Sequence, residues 1–176
     1  MVCSATMAGF GTQPPFSEPP TVVLYHDECA DGFGAAWAIW DRFPAARFIP
    51  VKHGNPPPAE LQDQRVIIVD FSYARETLET MAAQTQALLV LDHHITAEKA
   101  LAGLPYAYFD MKKSGAVLAW EWAHDQPTPW LLDYIQDKDL WTWALPSSRE
   151  INAAVASYPF DYHLWSHFKQ KELEQE

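Results

Sequence analysis

From residue 21 onward, short apolar runs alternate with segments whose apolar positions recur at helical spacing. Thr21 to His26, Arg47 to Val51, Arg65 to Asp70, Ala87 to Asp92 and Tyr106 to Phe109 read as five strands, each too short for a helix and bounded by polar or turn residues. Between them, Phe33 to Phe43 predicts a helix whose Gly34, Ala35, Ala36 and Ala38 are small enough to lie close to a sheet. Leu78, Met81 and Ala82 give the segment after the third strand an apolar face at i, i+3, i+4. Ser114 caps a helix to about Ala123, and Pro129 opens another through about Asp137. Ser147-Ser148-Arg149-Glu150 has the form of a capping box, so a helix is expected to start there and stop before Pro159. The last helix is expected from Asp161, with Leu164, Trp165 and Phe168 inward. Strands that are apolar throughout, separated by helices, predict a doubly wound α/β fold: a mainly parallel five-stranded sheet with helices on both faces.

With 176 residues, 48% of them hydrophobic, the chain suits one well-buried core. Residues 1–20 carry four prolines and two glycines without a basic start or a continuous apolar stretch, so they read as a flexible leader in which Met7 is an alternative start. Residues 21–160 form the expected domain, and residues 161–176, with their charged end, a linker-like helix. No apolar run approaches the roughly 20 residues of a membrane span. The two cysteines, Cys3 and Cys29, are too few for a disulfide framework. That cysteine usage fits a reducing cytoplasm, the expected compartment. A net charge of −11 argues against gripping long duplex nucleic acid, whose phosphates need lysine or arginine partners.

The candidate chemistry gathers at strand ends. His26 follows VVLY, Asp70 follows VIIV, and Asp92-His93-His94 closes LLVLDHH. In an open α/β sheet these ends converge on one crevice, where ligands bind. A lone acid or histidine there often only caps a helix or ties a loop. Three such ends together point to divalent metal, because carboxylate and imidazole ligands can bridge two ions and activate water for phosphate ester hydrolysis.

Around His26 the sequence is YHDECADGFGAAW. Together with VDFS at 69–72, LDHH at 91–94, SGA at 114–116 and DKDLW at 137–141, in that order, it resembles the DHH phosphoesterase superfamily, with an oligoribonuclease- or exonuclease-like branch nearest. That family also includes cyclic-dinucleotide phosphodiesterases and manganese-dependent pyrophosphatases, and its members typically bind two manganese ions. The resemblance implies that His26 and Asp31 supply the first motif, that Asp70 is the bridging carboxylate, and that His93 and Asp139 complete the ligands. Asp137 competes for the last role; the D-x-W-x-W run from Asp139 favours Asp139, leaving Asp137 as a solvated helix-end residue. His94 is implied as the substrate-facing histidine that helps protonate the leaving oxygen, with Asp92 orienting the pair.

Cys29 stands where the family usually has its first Asp. It is either a softer ligand, which lets Zn²⁺ compete, or a small packed side chain. On the substrate side, Lys113, Ser114 and Gly115 are expected to offer charge and backbone N–H groups to phosphate, unless they simply begin a capped helix. Trp141 is the one tryptophan expected to stack on a base.

No glycine follows Gly115, so the glycine-rich second domain of the family is expected to be absent. The expected activity is Mn²⁺-dependent phosphodiester hydrolysis, with Mg²⁺ or Zn²⁺ as competing ions, on short oligonucleotides or related small phosphate esters. The oligomeric state is open between monomer and homodimer. Two alternatives stand beside it: a non-catalytic metal-binding regulatory module, and a phospho-acceptor receiver using Asp70 and Lys112, in which the His93-His94 pair has no job.

Overall fold

A computed structural model of the chain describes residues 16–171. Cys3, Met7 and most of the expected leader lie outside the described residues, as do residues 172–176. The elements follow in the order β1 (Val22–His26), α1 (Ala30–Arg42), β2 (Arg47–Val51), β3 (Arg65–Val69), α2 (Arg75–Gln84), β4 (Ala87–Asp92), α3 (Ile95–Ala100), β5 (Ala107–Phe109), α4 (Gly115–Ala123), α5 (Trp130–Asp139), α6 (Ser148–Ala156) and α7 (Tyr162–Gln170). The five strands pair in parallel in the order β2-β1-β3-β4-β5. The fold is therefore the α/β architecture that the apolar pattern predicts.

Alternate side chains along each strand serve separate cores because strand side chains alternate between the two faces of a sheet. Val23, Ile67, Val69, Leu89 and Leu91 pack with α1, α4 and α5 and with Trp165 of α7. Val22, Leu24, Val66, Ile68, Leu88 and Val90 pack with Leu78 and Met81 of α2 and with Leu101. Burial on both faces is why these strands read as unbroken apolar runs.

Two local expectations are corrected, and one helix was not expected. Helix α1 begins at Ala30, not Phe33, with Cys29 as its N-cap through the backbone alone, Phe33 N–H donating to Cys29 O at 2.9 Å. Ser147 makes no capping box: it adopts a left-handed φ of 50° without a side-chain cap bond. The buried Ser148 is instead bonded to Asp137 and accepts from Asn152 Nδ2, while the helix still begins at Ser148 with Ser147 as its N-cap. Helix α3, six residues with none buried, has no apolar face and left no periodic signal.

Both ends of the described chain are tied to the domain. Phe16 packs edge-on against Trp122, and Arg65 holds Pro19 O at 2.6 Å and Glu18 at 3.1 Å. Asp161 caps α7 by accepting from Leu164 N–H, and Trp165 is fully buried against Phe33 and Trp37, while Leu164 and Phe168 are only half-buried. Among the described residues, no helix is long and apolar enough to cross a membrane.

Gly32, in the first turn of α1, lets the helix lie directly on the end of β1: a Cβ there would fall 2.2 Å from the backbone oxygen of His26. Neither partner is a flexible tip, so relief requires moving α1. Gly32→Ala is expected to destabilise the chain by roughly 1–3 kcal/mol, the usual cost of overpacking. A urea titration checks this as a lower midpoint at unchanged slope.

Candidate metal centre

The chain leaves β1 for β2 on one side and returns to β3 on the other, so the strand order reverses between β1 and β3 and opens a crevice at their C-terminal ends. His26 ends β1, Asp70 follows β3, and Asp92 ends β4 with His93 and His94 behind it. Asp31 reaches the same place from the first turn of α1, and Asp139 from the last residue of α5.

These side chains meet around His93. Its Nε2 lies 3.1 Å from Asp70 Oδ1, 3.5 Å from Asp31 Oδ2 and 3.5 Å from Asp139 Oδ2. His26 Nδ1 stands 3.6 Å from the other Asp70 oxygen. Three sets, each with donor atoms within 4.8 Å of one another, can hold an ion: His26 with Cys29 and Asp70, Asp70 with His93 and His94, and Asp31 with His93 and Asp139. All six residues expected as ligands are brought together, and Asp70 and His93 each belong to two sets.

Asp70 leaves its strand with φ +62°, a left-handed conformation that costs a non-glycine residue energy and here aims the carboxylate into the crevice. Gly115 makes room for it, since a Cβ at that position would lie 2.6 Å from the Cβ of Asp70. Asp31 is equally fixed, its oxygens accepting from Gly115 N–H at 2.7 Å and Ala116 N–H at 2.9 Å. That contact corrects the phosphate role expected at this helix start. The first N–H groups of α4 face Asp31, where the positive end of the helix stabilises a buried carboxylate.

The neighbouring residues are likewise committed. Ser114 is fully buried, its hydroxyl accepting weakly from Val117 N–H and its own N–H donating to Gln136. Lys113 is paired with Glu121 at 2.6 Å. Trp141 stands 73% exposed beside Asp139, its ring edge-on to Trp143, and is not drawn into the core.

Asp92, 1% exposed, works beneath the pair of histidines. Its Oδ1 accepts from His93 N–H at 2.8 Å and holds His94 Nδ1 at 2.6 Å, while its Oδ2 is buried without a partner. Asp137 is not solvated. It is buried and accepts from Ala144 N–H at 2.8 Å and Leu145 N–H at 3.2 Å, which fixes the loop after α5 and leaves Asp139 as the carboxylate at the centre.

The electrostatics follow from crowding acids away from water. Burial pushes the Asp31 carboxyl well above its ordinary range, and Asp70 and Asp139 push it the same way. Burial also acts on Asp70, but hydrogen bonds with His26, His93 and Asp31 outweigh it and hold that carboxyl below its ordinary value. Burial would lower His93, yet Asp70, Asp31 and Asp139 together carry it up to about 9. His94 is raised chiefly by its bond to Asp92. Cys29, half-buried, has its thiol pushed up by burial.

The sequence reading missed the wall beside the cluster. Phe71, Ser72 and Tyr73 follow Asp70, and His53 approaches from the loop after β2, lining a cleft of about 420 Å³ that adjoins His26. The signal was the aromatic residues directly after the VIIVD strand.

Protons on His93 and Asp31 compete with any cation at these positions. Mn²⁺ binding to the metal-free chain is expected to release on the order of one proton or more near neutral pH. Its apparent affinity should rise as the pH climbs toward the His93 value of about 9 and level off above it. Calorimetry in buffers of different ionisation enthalpy checks this; an affinity independent of pH would contradict it.

No family model matches the chain. Uncharacterized protein R106 of Acanthamoeba polyphaga mimivirus is 33% identical over an alignment of 171 positions that covers 86% of this chain and 41% of that protein. The chain thus spans about two fifths of that relative's length. The crystal structure of an uncharacterized protein from Helicobacter pylori G27 superposes with a TM-score of 0.58 at 15% identity, covering 70% of this chain and 44% of that one, a likeness of fold.

Proposed function

We propose that the chain is a divalent-metal-dependent phosphoesterase of DHH type, with Mn²⁺ as its fitting ion, that hydrolyses phosphodiester bonds in short oligonucleotides or related small phosphate esters. The observation that carries this reading is the meeting of His26, Asp31, Asp70, His93 and Asp139, from five separate segments, at the reversal in strand order. Ion pairs with the two imidazoles do not fully compensate three carboxylates in a desolvated crevice, and oxygen and imidazole donors together suit Mn²⁺. The order of the YHDECADG, VDFS, LDHH, SGA and DKDLW segments supports the same reading.

Cations held there would acidify a water and offset the charge on phosphate oxygens. The chain's own residues divide the remaining work. Asp31 and Asp70 are pinned by α4 and by the two histidines, so the ligand oxygens are placed before substrate arrives. His94, its side chain 52% exposed and lining the cleft, is held at Nδ1 by Asp92, which leaves Nε2 to protonate the departing alcohol oxygen. A charge of −11 disfavours long polyanions, so the proposed substrate is short and gripped near the cluster. Trp141 offers an exposed ring beside Asp139 for a base.

One observation favours a second reading. The thiol of Cys29 lies with His26 and Asp70, and a sulfur ligand draws Zn²⁺, as in a non-catalytic metal-binding regulatory module.

The acid role of His94 is separable from metal binding. His94→Ala is expected to lower Mn²⁺-dependent turnover of bis-p-nitrophenyl phosphate by roughly 10²-fold or more while the bound manganese stays at the parent level. Metal loss equal to that of His93→Ala would make His94 a ligand instead.

A further inference from the structure

The crevice does not end at the cluster. Two hollows of about 390 and 420 Å³ adjoin, sharing His26, His53, Phe71, Ser72, Tyr73 and Ala74. The inner one reaches Asp70, Asp92 and His94; the outer one runs under the loop after β2 to Asn55, Pro56 and Pro57. Their size is that of a small-molecule site.

The outer wall has a definite chemical character. It contains no arginine, and its one lysine, Lys52, is already paired with Glu28 at 2.7 Å. No carboxylate lines it. What it offers instead are ring faces and neutral hydrogen-bonding groups: His53, Phe71 and Tyr73, the last two edge-to-face at 5.2 Å, with Asn55, Ser72 and Thr77. A run of three prolines from Pro56 stiffens the loop that carries His53 and Asn55. His53 and Asn55 are exposed, so neither is spent on packing.

Resting on the phosphoesterase reading, we infer that this cleft holds the organic part of the ester, that it takes an uncharged flat ring with hydrogen-bonding edges rather than a further phosphate, and that His53 and Asn55 select it. A phosphate chain extending from the cluster would need lysine or arginine along this wall, and the one lysine among its lining residues is already paired with Glu28. A nucleobase-like ring needs stacking faces and neutral donors and acceptors, and these are what the wall presents.

Binding to the full chain in Mn²⁺, measured by calorimetry with AMP, inorganic phosphate and pyrophosphate, tests the inference. AMP is expected to bind at least ~10-fold more tightly than phosphate. His53→Ala and Asn55→Ala should each weaken AMP, the former by ~10-fold, and leave phosphate unchanged. Pyrophosphate binding more tightly than AMP, or equal weakening of AMP and phosphate in both variants, would overturn the cleft assignment while leaving the metal reading intact. Adenosine followed by ligand-observed NMR reads the cleft without metal. Contact in the parent that disappears in His53→Ala supports the assignment even if manganese fails to bind, whereas no contact in the parent overturns it.

Discussion

The arrangement at the strand ends depends on one electrostatic problem, the placing of Asp31, Asp70 and Asp139 around a single imidazole with little water to separate them. Carboxylates in such a place are costly unless each finds hydrogen-bond donors and positive charge. The chain supplies part of the compensation itself. Helix α4 gives Asp31 two N–H groups, and His26 and His93 face Asp70. What they leave uncompensated is charge suited to a divalent cation, and without one His93 keeps its proton up to about pH 9.

The packing around the cluster serves that placement. Gly32 allows α1 to approach the end of β1, which carries Asp31 toward His93, and Gly115 leaves the space that Asp70 fills in its left-handed turn. Asp137 secures the loop after α5 and so positions the end of the helix that bears Asp139. Asp92 does the same for the two histidines from below. Asp31, His93 and Asp139 are thus braced by groups that need not touch the ion, which is how a site keeps its geometry before its ligand binds.

How much of this was legible in the sequence follows from the range of the interactions. The strands were legible because burial on both faces makes them continuously apolar, and the ligands at their ends because His26, Asp70 and the DHH triplet interrupt apolar runs abruptly. Helix α3 was not, since it buries nothing. Local motifs failed where distant partners intervened. The start of α4 resembles a phosphate cradle until Asp31, 84 residues earlier, takes its N–H groups. The capping box at Ser147 gives way because Ser148 is drawn toward Asp137. The cleft wall was legible only in Phe71 and Tyr73 after the VIIVD strand, because His53 comes from a second loop that only the sheet order brings beside them.

The central proposal, that Asp70 would help hold two ions in one cluster, is tested most directly by metal stoichiometry. The parent and Asp70→Asn, a substitution that keeps the side-chain shape and removes its charge, would be loaded with Mn²⁺, desalted and analysed for bound metal, with circular dichroism to verify the fold. The account predicts about two manganese per parent chain and loss of both in the folded variant. A variant that retains the parent's manganese, or a parent that holds a single zinc which manganese does not displace, would contradict it.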